Sequence, residues 1–268
     1  MKEIIFPSFN LKLNVNNVAL SLFGVDIYWY AILIVLAFVV GILFCKKDSG
    51  KYDIKFDNIL ELMIVLIPTS ILSARIFYIM FKLDYYIQNP GNILNIRDGG
   101  LAIYGGIIGA VITIYIYCKK KKINTVDMLD YIVPYLALGQ AIGRWGNFFN
   151  GEAHGIETTN FFRMGIVENE KYIEVHPTFL YESICNLIIF IILYLLKNKR
   201  KYKGQLTYIY LTLYGFARAL IEGLRTDSLM IGSFRVSQIL SIILCITFCA
   251  ILIYKEIKNK RELRKNET

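Results

Sequence analysis

Apolar residues along this chain come in seven long blocks separated by short polar runs. They fall at about 22–44, 57–81, 99–118, 126–146, 177–196, 205–223 and 236–254. Crossing about 30 Å of hydrocarbon takes roughly 20 helical residues, and each block approaches or exceeds that length. The fourth is the most interrupted, since Gly139, Gln140, Gly143 and Arg144 weaken its end. The pattern predicts an all-α integral membrane protein, seven transmembrane helices in a single polytopic domain over 1–268. The longest non-apolar segment, 147–176, is expected to form a small extracytoplasmic head. The first block does not read as a cleaved signal peptide, being long and followed by Lys46-Lys47. The blocks do not split into two similar halves, which argues against an inverted-repeat transporter.

Composition strengthens this picture. Residues of the AVILMFWYC set make up 56% of the chain, above the apolar share of about 45–50% usual in soluble domains. Mean hydropathy is +0.48. The net charge of +9 would suggest nucleic acid in a soluble protein. Here the basic residues sit in runs between apolar blocks, so their placement encodes orientation, and no nucleic-acid partner is expected. Nineteen Lys and Arg lie in 45–56, 119–122, 197–204 and the tail from Lys255. Eight lie on the opposite side: Lys2, Lys12, Lys82, Arg97, Arg163, Lys171, Arg225 and Arg235. Positive charge collects on the cytoplasmic side, so the N-terminus is expected outside and the C-terminus in the cytoplasm. The five cysteines lie in or at the ends of blocks with no CxxC pair, and read as small packing residues.

Charges inside the blocks carry the functional information. A charge at mid-span costs about 2.5–3.5 kcal/mol on insertion scales, so each needs a reason. The candidates are Glu61, Arg75, Asp130, Arg144, Glu182, Arg218 and Glu222. In the sixth block Tyr214, Arg218, Glu222 and Arg225 are spaced to share one helical face. In lipid such a face must look into a polar cavity. A second cluster, GRWGNFFNGEAHG at 143–155, packs Arg144, Asn147, Asn150, Glu152 and His154 among glycines. Gly143, Gly146, Gly151 and Gly155 permit positive φ, and a turn of backbone N–H groups beside an arginine makes an anion cradle. A third, DGGLAIYGGIIG at 98–109, sets Tyr104 between two Gly-Gly pairs, with Gly105 and Gly109 suited to close helix packing. A fourth, VHPTFLYES at 175–183, places His176 just before Pro177 at the start of the fifth span.

Together the clusters predict a membrane-embedded enzyme, or a carrier, acting on a phosphate-bearing lipid or metabolite at the outer face. Arg144 and Arg218 suit a phosphate. There is no HExxH and no Cys/His cluster for a metal, and no nucleophile elbow or Walker A motif. Neither a metal nor a cofactor is expected.

GRWGNFFNGEAHG closely resembles the signature of the bacterial prolipoprotein diacylglyceryl transferases, roughly G-R-x-G-N-F-x-N-x-E-x-x-G. The resemblance extends to Tyr30 in IYWY, to GGLAIYGGIIG, to Asp130 in LDYIVP, to HPTFLYE and to YGFARALIEGLR, in the family's order over essentially the whole chain. It implies transfer of the diacylglyceryl group of phosphatidylglycerol to the lipobox cysteine of a preprolipoprotein signal peptide, leaving a thioether and glycerol 1-phosphate. It implies a multi-pass protein of the bacterial cytoplasmic membrane. On this resemblance Arg144 binds lipid, with Asn147, Asn150, Glu152 and Gly155 shaping its surroundings. Tyr30, Tyr214, Glu222 and Arg225 line the substrate site. His176, Tyr104, Arg144 and Arg218 are the catalytic candidates, His176 as base. Many relatives carry histidine at the position of Tyr104.

Overall fold

A computed structural model describes residues 2–96, 99–168 and 170–267. Two residues that enter the reading above lie outside them: Arg97, among the sparser positive charges, and Asp98, which opens the third cluster. The fold is mostly helical: α1 (Trp29–Lys47), α2 (Phe56–Met80), α3 (Leu83–Gln88), α4 (Ile103–Lys121), α5 (Thr125–Asn150), α6 (Thr178–Leu196), α7 (Gln205–Glu222) and α8 (Val236–Glu267). Five of these, α1, α2, α4, α6 and α8, are long and apolar enough to cross a membrane. The helices expected from the fourth and sixth blocks, α5 and α7, are present at 26 and 18 residues. Asp127, Asp130 and Arg144 on α5, and Arg218 and Glu222 on α7, lower their hydropathy.

The expectation of an all-α chain is corrected by eight short strands among the described residues. These are β1 (Lys2–Phe6), β2 (Leu11–Val15), β3 (Val18–Leu22), β4 (Val25–Tyr28), β5 (Met164–Glu168), β6 (Lys171–Val175), β7 (Met230–Ile231) and β8 (Phe234–Arg235). Residues 22–28, assigned above to the first span, are extended instead, with Gly24 at positive φ in the β3–β4 turn. Strands of five residues offer too few alternations for a period of two to stand out in sequence.

The chain forms two compact units. One holds Met1–Phe44 and Asp130–Thr268. In it the N-terminal strands join the segment before α6 in one antiparallel sheet, in the order β2-β1-β5-β6. Ile4, Val15, Met164 and Val175 pack under that sheet on Phe148 of α5 and Phe179 of α6. Strands β1 and β2 are therefore part of the same small sheet as β5 and β6. A second core, of Val133, Ala137, Ile189, Leu193, Leu206 and Tyr210, joins α5, α6 and α7.

At the far end of α7 the start of the helix is fixed by Asp130, which is 0% exposed. Its carboxylate accepts from the Gly204 N–H (2.7 Å), from the Thr207 N–H and hydroxyl (2.8 and 2.7 Å), and from Arg200 Nη1 (3.0 Å). A carboxylate there satisfies N–H groups that no helical carbonyl reaches and meets the positive end of the helix dipole.

The other unit, Cys45–Leu129, pairs α2 with α4. A Cβ at Gly105 would collide with Phe77 and with the Ser73 carbonyl, and one at Gly109 with the Ser73 side chain. The GxxxG pair thus permits close approach of the two helices, as its spacing suggests. Glu61 and Lys121 form an ion pair at 2.5 Å across the same helices, with Tyr117 donating to Glu61 at 3.0 Å.

Candidate active site

Glu182 stands at the centre of the buried charges in the first unit. Pro177 caps the start of α6, and Thr178, Glu182 and Asn186 follow at intervals of four on its buried face. The Ser183 hydroxyl donates to the Ala141 carbonyl at 2.8 Å and holds that face against α5. Only 3% of Glu182 is exposed, and three guanidinium groups converge on it. Arg218 Nη1 and Arg225 Nη1 reach Oε1 at 2.7 and 2.9 Å. Arg144 Nη2 reaches Oε2 at 2.7 Å.

The arginines have further partners. Arg218 Nη2 meets Glu222 Oε2 at 2.5 Å across one helical turn, the pair expected from their spacing. Arg225 lies just beyond the end of α7 and grips Asp227 with two bonds, at 2.9 and 2.6 Å. Arg144 Nη1 donates to Asn147 Oδ1 at 3.3 Å. Asn147 and Asn150 in turn donate to Glu152 Oε1, at 2.9 and 3.1 Å. Arg144, Arg218 and Arg225 thus balance Glu182, Glu222 and Asp227 in charge. Burial of so many ions is tolerable only because each finds opposite charge at contact distance.

The second cluster differs from the expected glycine-rich turn. Residues 143–150 continue α5, so Gly143 and Gly146 are helical and Arg144 projects from a rigid element. Of the four glycines, only Gly151 has positive φ, at 63°. Gly146 instead gives room to Tyr30, whose ring occupies the space a Cβ would need. Gly155 lies in a seam: its N–H donates to the His176 carbonyl at 2.8 Å, and a Cβ would press on His176, Thr178 and the Leu224 carbonyl. That seam joins the segment after α5 to the end of α7 through the bridge of Gly155 with Arg225. Glycine at 155 is therefore a matter of close approach rather than of backbone handedness.

Tyr214 lies one turn before Arg218 and stacks on Tyr210, with centroids 5.6 Å apart; the Tyr210 hydroxyl donates to Gln140 at 3.0 Å. The His176 ring is buried, with Nδ1 3.2 Å from the Tyr181 hydroxyl. Burial pushes its pKa below the ordinary imidazole value, so the neutral form dominates at neutral pH. Tyr104 belongs to the other unit, in the first turn of α4, where the Ala102 N–H donates to the Ala74 carbonyl at 3.1 Å.

The structure brings Arg144, Asn147, Asn150 and Glu152 into one chain of contacts, and Arg218, Glu222 and Arg225 into another. Glu182 links the two. Sequence reasoning marked Glu182 as a charge within a span but gave it no role. Its position one turn into the helix after the HPTF motif was the available signal. Asp227, outside every apolar block, carried none.

A family model described as prolipoprotein diacylglyceryl transferase matches residues 17–254. A phosphatidylglycerol–prolipoprotein diacylglyceryl transferase of Finegoldia magna is 47% identical over 253 residues, covering 94% of this chain and 99% of the relative. Those of Clostridium novyi and Clostridioides difficile are each 46% identical, over 93% and 92% of this chain and 100% and 98% of theirs.

Proposed function

From the chain's membership of the prolipoprotein diacylglyceryl transferase family, we propose that it transfers the diacylglyceryl group of phosphatidylglycerol to the lipobox cysteine thiol of preprolipoproteins. The products are a thioether and glycerol 1-phosphate. The observation that carries this reading is the convergence of Arg144, Arg218 and Arg225 within 2.9 Å of one buried carboxylate. The sulfur attacks the glyceryl carbon, and the bond from that carbon to the phosphate oxygen breaks. Its electron pair leaves with the phosphate, which gains a negative charge. Guanidinium groups fixed beside that oxygen stabilise the transition state more than the ground state.

The ion pairs divide the labour. Arg218 is held by two carboxylates and Arg225 by three, whereas Arg144 meets Glu182 alone and is the most exposed of the three arginines. Arg144 is accordingly the group that turns to the lipid phosphate, while the others hold the local field. Asn147, Asn150 and Glu152 keep it aimed. Tyr30 and Tyr214 complete the wall. In this reading α5 and α7 also span the membrane, giving seven spans. The segment 147–176, joined by the N-terminal strands, faces outward, as does the N-terminus, and the C-terminus is cytoplasmic. The deciding experiment is thioether formation on a lipobox peptide in phosphatidylglycerol vesicles, with stoichiometric release of glycerol phosphate. Movement of a phosphate ester across the vesicle wall without thioether would identify a carrier instead.

The thiol must lose a proton before it attacks well, since its unperturbed pKa is about 8.5. His176 is the proposed acceptor, its imidazole kept neutral by burial. Activity then falls as pH drops through this lowered pKa, because protonated histidine accepts nothing. The acid limb of the kcat/KM profile should lie below the ordinary histidine range and disappear in His176→Ala. An acid limb that stays in place in that variant would remove His176 from the mechanism.

Tyr104 is proposed as a hydrogen-bond donor to a phosphate or glycerol oxygen. Tyr104→Phe should then lose about tenfold or more in rate, since a hydrogen bond to a charged group is worth about 1.5–3 kcal/mol. Tyr104→His should keep substantial activity, because an imidazole also donates. Phe more active than His in a glycerol-phosphate release assay would make the position one of packing.

A further inference from the structure

A helix leaves its last four carbonyls without regular helical partners, and beside lipid each must be met by another donor. At the end of α7 those four belong to Ala219, Leu220, Ile221 and Glu222. The Gly223 N–H turns back to the Ile221 carbonyl, which the Leu224 N–H also reaches at 2.9 Å. Two side chains that follow in the chain meet carbonyls of the same turn. Gln238, in the first turn of α8, donates from Nε2 to the Ala219 carbonyl at 2.9 Å. Arg235, the residue before α8, donates from Nη1 to the Glu222 carbonyl at 2.7 Å. Both donors lie close against the turn. A Cβ at Gly223 would stand 3.3 Å from Gln238 Nε2 and 4.0 Å from Arg235 Nη1. Earlier in α7 the two helices touch backbone to backbone. A Cβ at Gly215 would stand 2.8 Å from the Ser241 carbonyl and 2.9 Å from the Cys245 nitrogen. That contact fixes the register of α8 on α7, and the register delivers Gln238 and Arg235 to the last turn.

The same turn carries charges of the site. Glu222 is buried and holds Arg218. The Arg225 N–H donates to the Glu222 carbonyl at 3.2 Å, the oxygen that Arg235 also takes. The path of the backbone at Glu222 therefore sets where the Arg225 side chain begins on its way to Glu182. Arg235 acts on charge as well. The end of a helix is the negative pole of its dipole, which disfavours a carboxylate in the last turn. A guanidinium bonded to the Glu222 carbonyl offsets that field.

We infer that Arg235 and Gln238 are positioning residues for diacylglyceryl transfer, acting through the turn from which Glu222 and Arg225 project. The inference rests on the role proposed above for the buried arginines. It gives α8 a part in the reaction beyond crossing the membrane: its first turn splints the end of α7.

The test is the rate of thioether formation by the full-length protein on a lipobox peptide in phosphatidylglycerol vesicles, per mole of folded protein. Single turnovers with enzyme in excess keep slow variants measurable. Gln238→Met preserves the length of the side chain and removes its donor. It should lower the rate constant at saturating peptide about five- to tenfold, the worth of one hydrogen bond, and change the half-saturating peptide concentration less than about twofold. Arg235→Met should lose at least as much. Arg235→Lys should regain most of that loss, since an ammonium also donates to a carbonyl and carries the charge. Coupling separates positioning from a general loosening of the fold. In an Arg225→Lys background, where the paired bonds of the guanidinium are already gone, Gln238→Met should cost less than about a further twofold. Either of two results would overturn the inference: wild-type rates in both Met variants, or a Gln238→Met loss as large beside Arg225→Lys as in wild type. A wild-type protein that forms no thioether would sink the reaction on which the inference rests.

Discussion

Arg144→Ala should abolish diacylglyceryl transfer while the helical body stays folded. Arg144 Nη2 is 2.7 Å from Glu182 Oε2, and Nη1 is 3.3 Å from Asn147. In the proposed exchange that guanidinium leaves the carboxylate for the lipid phosphate. Without it, the phosphate enters a low-dielectric site lacking its counter-charge. Breaking a buried pair by removing one partner costs about 3–5 kcal/mol, and about 1.36 kcal/mol is a factor of ten in rate. The expected loss is two to four powers of ten in glycerol-phosphate release. Arg144→Lys should recover little, because a single ammonium does not serve Glu182, Asn147 and phosphate with the geometry of a planar fork. Folding should suffer less than activity. Glu182 Oε1 keeps both Arg218 and Arg225, so the melting temperature in detergent should fall only modestly. Turnover near the wild-type rate in purified Arg144→Ala would remove Arg144 from the site.

Glu182→Gln should cost both activity and stability, for a different reason. Glu182 supplies the carboxylate on which Arg144, Arg218 and Arg225 converge, and it is 3% exposed. With an amide there, three guanidiniums face two remaining carboxylates, and one side-chain nitrogen now points a donor at another donor. Uncompensated buried positive charge is the expensive outcome. The sharper measurement is a double-mutant cycle. Arg144→Gln with Glu182→Gln restores neutrality, so the pair should melt closer to wild type than Glu182→Gln alone, while transfer remains lost. Stability losses that simply add would mean the two side chains are not coupled. A double variant with restored transfer would mean that Arg144 does not touch the phosphate.

Some of this site was open to inspection in the one-dimensional pattern. Arg218 and Glu222 pair because four residues of helix bring them onto one face, and that follows from 3.6 residues per turn. Tyr214 shares their face on the same ground. Asn147, Asn150 and Glu152 cluster because they are near neighbours in the chain. Other features escaped. Gly143 and Gly146 suggested a turn, yet the helix runs through both to Asn150. Gly146 is small to admit the Tyr30 ring from α1, a reason invisible to any local rule. Strand β1 pairs with β5 through Ile5 and Gly165, positions too far apart in the chain for any local rule to join them.

The sequence by itself determined that long apolar helices form, since an unbroken apolar stretch of about 20 residues has few other ways to satisfy its backbone in lipid. It also determined the side on which positive charge collects, and which charges need an explanation. Tertiary structure alone decided how those charges are balanced. Arg218 and Arg225 lie 36 and 43 residues from Glu182, with most of α6, the whole connection and most of α7 between them. Whether they meet depends on how α6 and α7 rotate and slide against each other. That is set by packing of Ile189 and Leu193 on Leu206 and Tyr210, and by Asp130 pinning the start of α7. Contacts within one helix follow from its repeat, whereas contacts between helices follow from the shapes of the faces that pack.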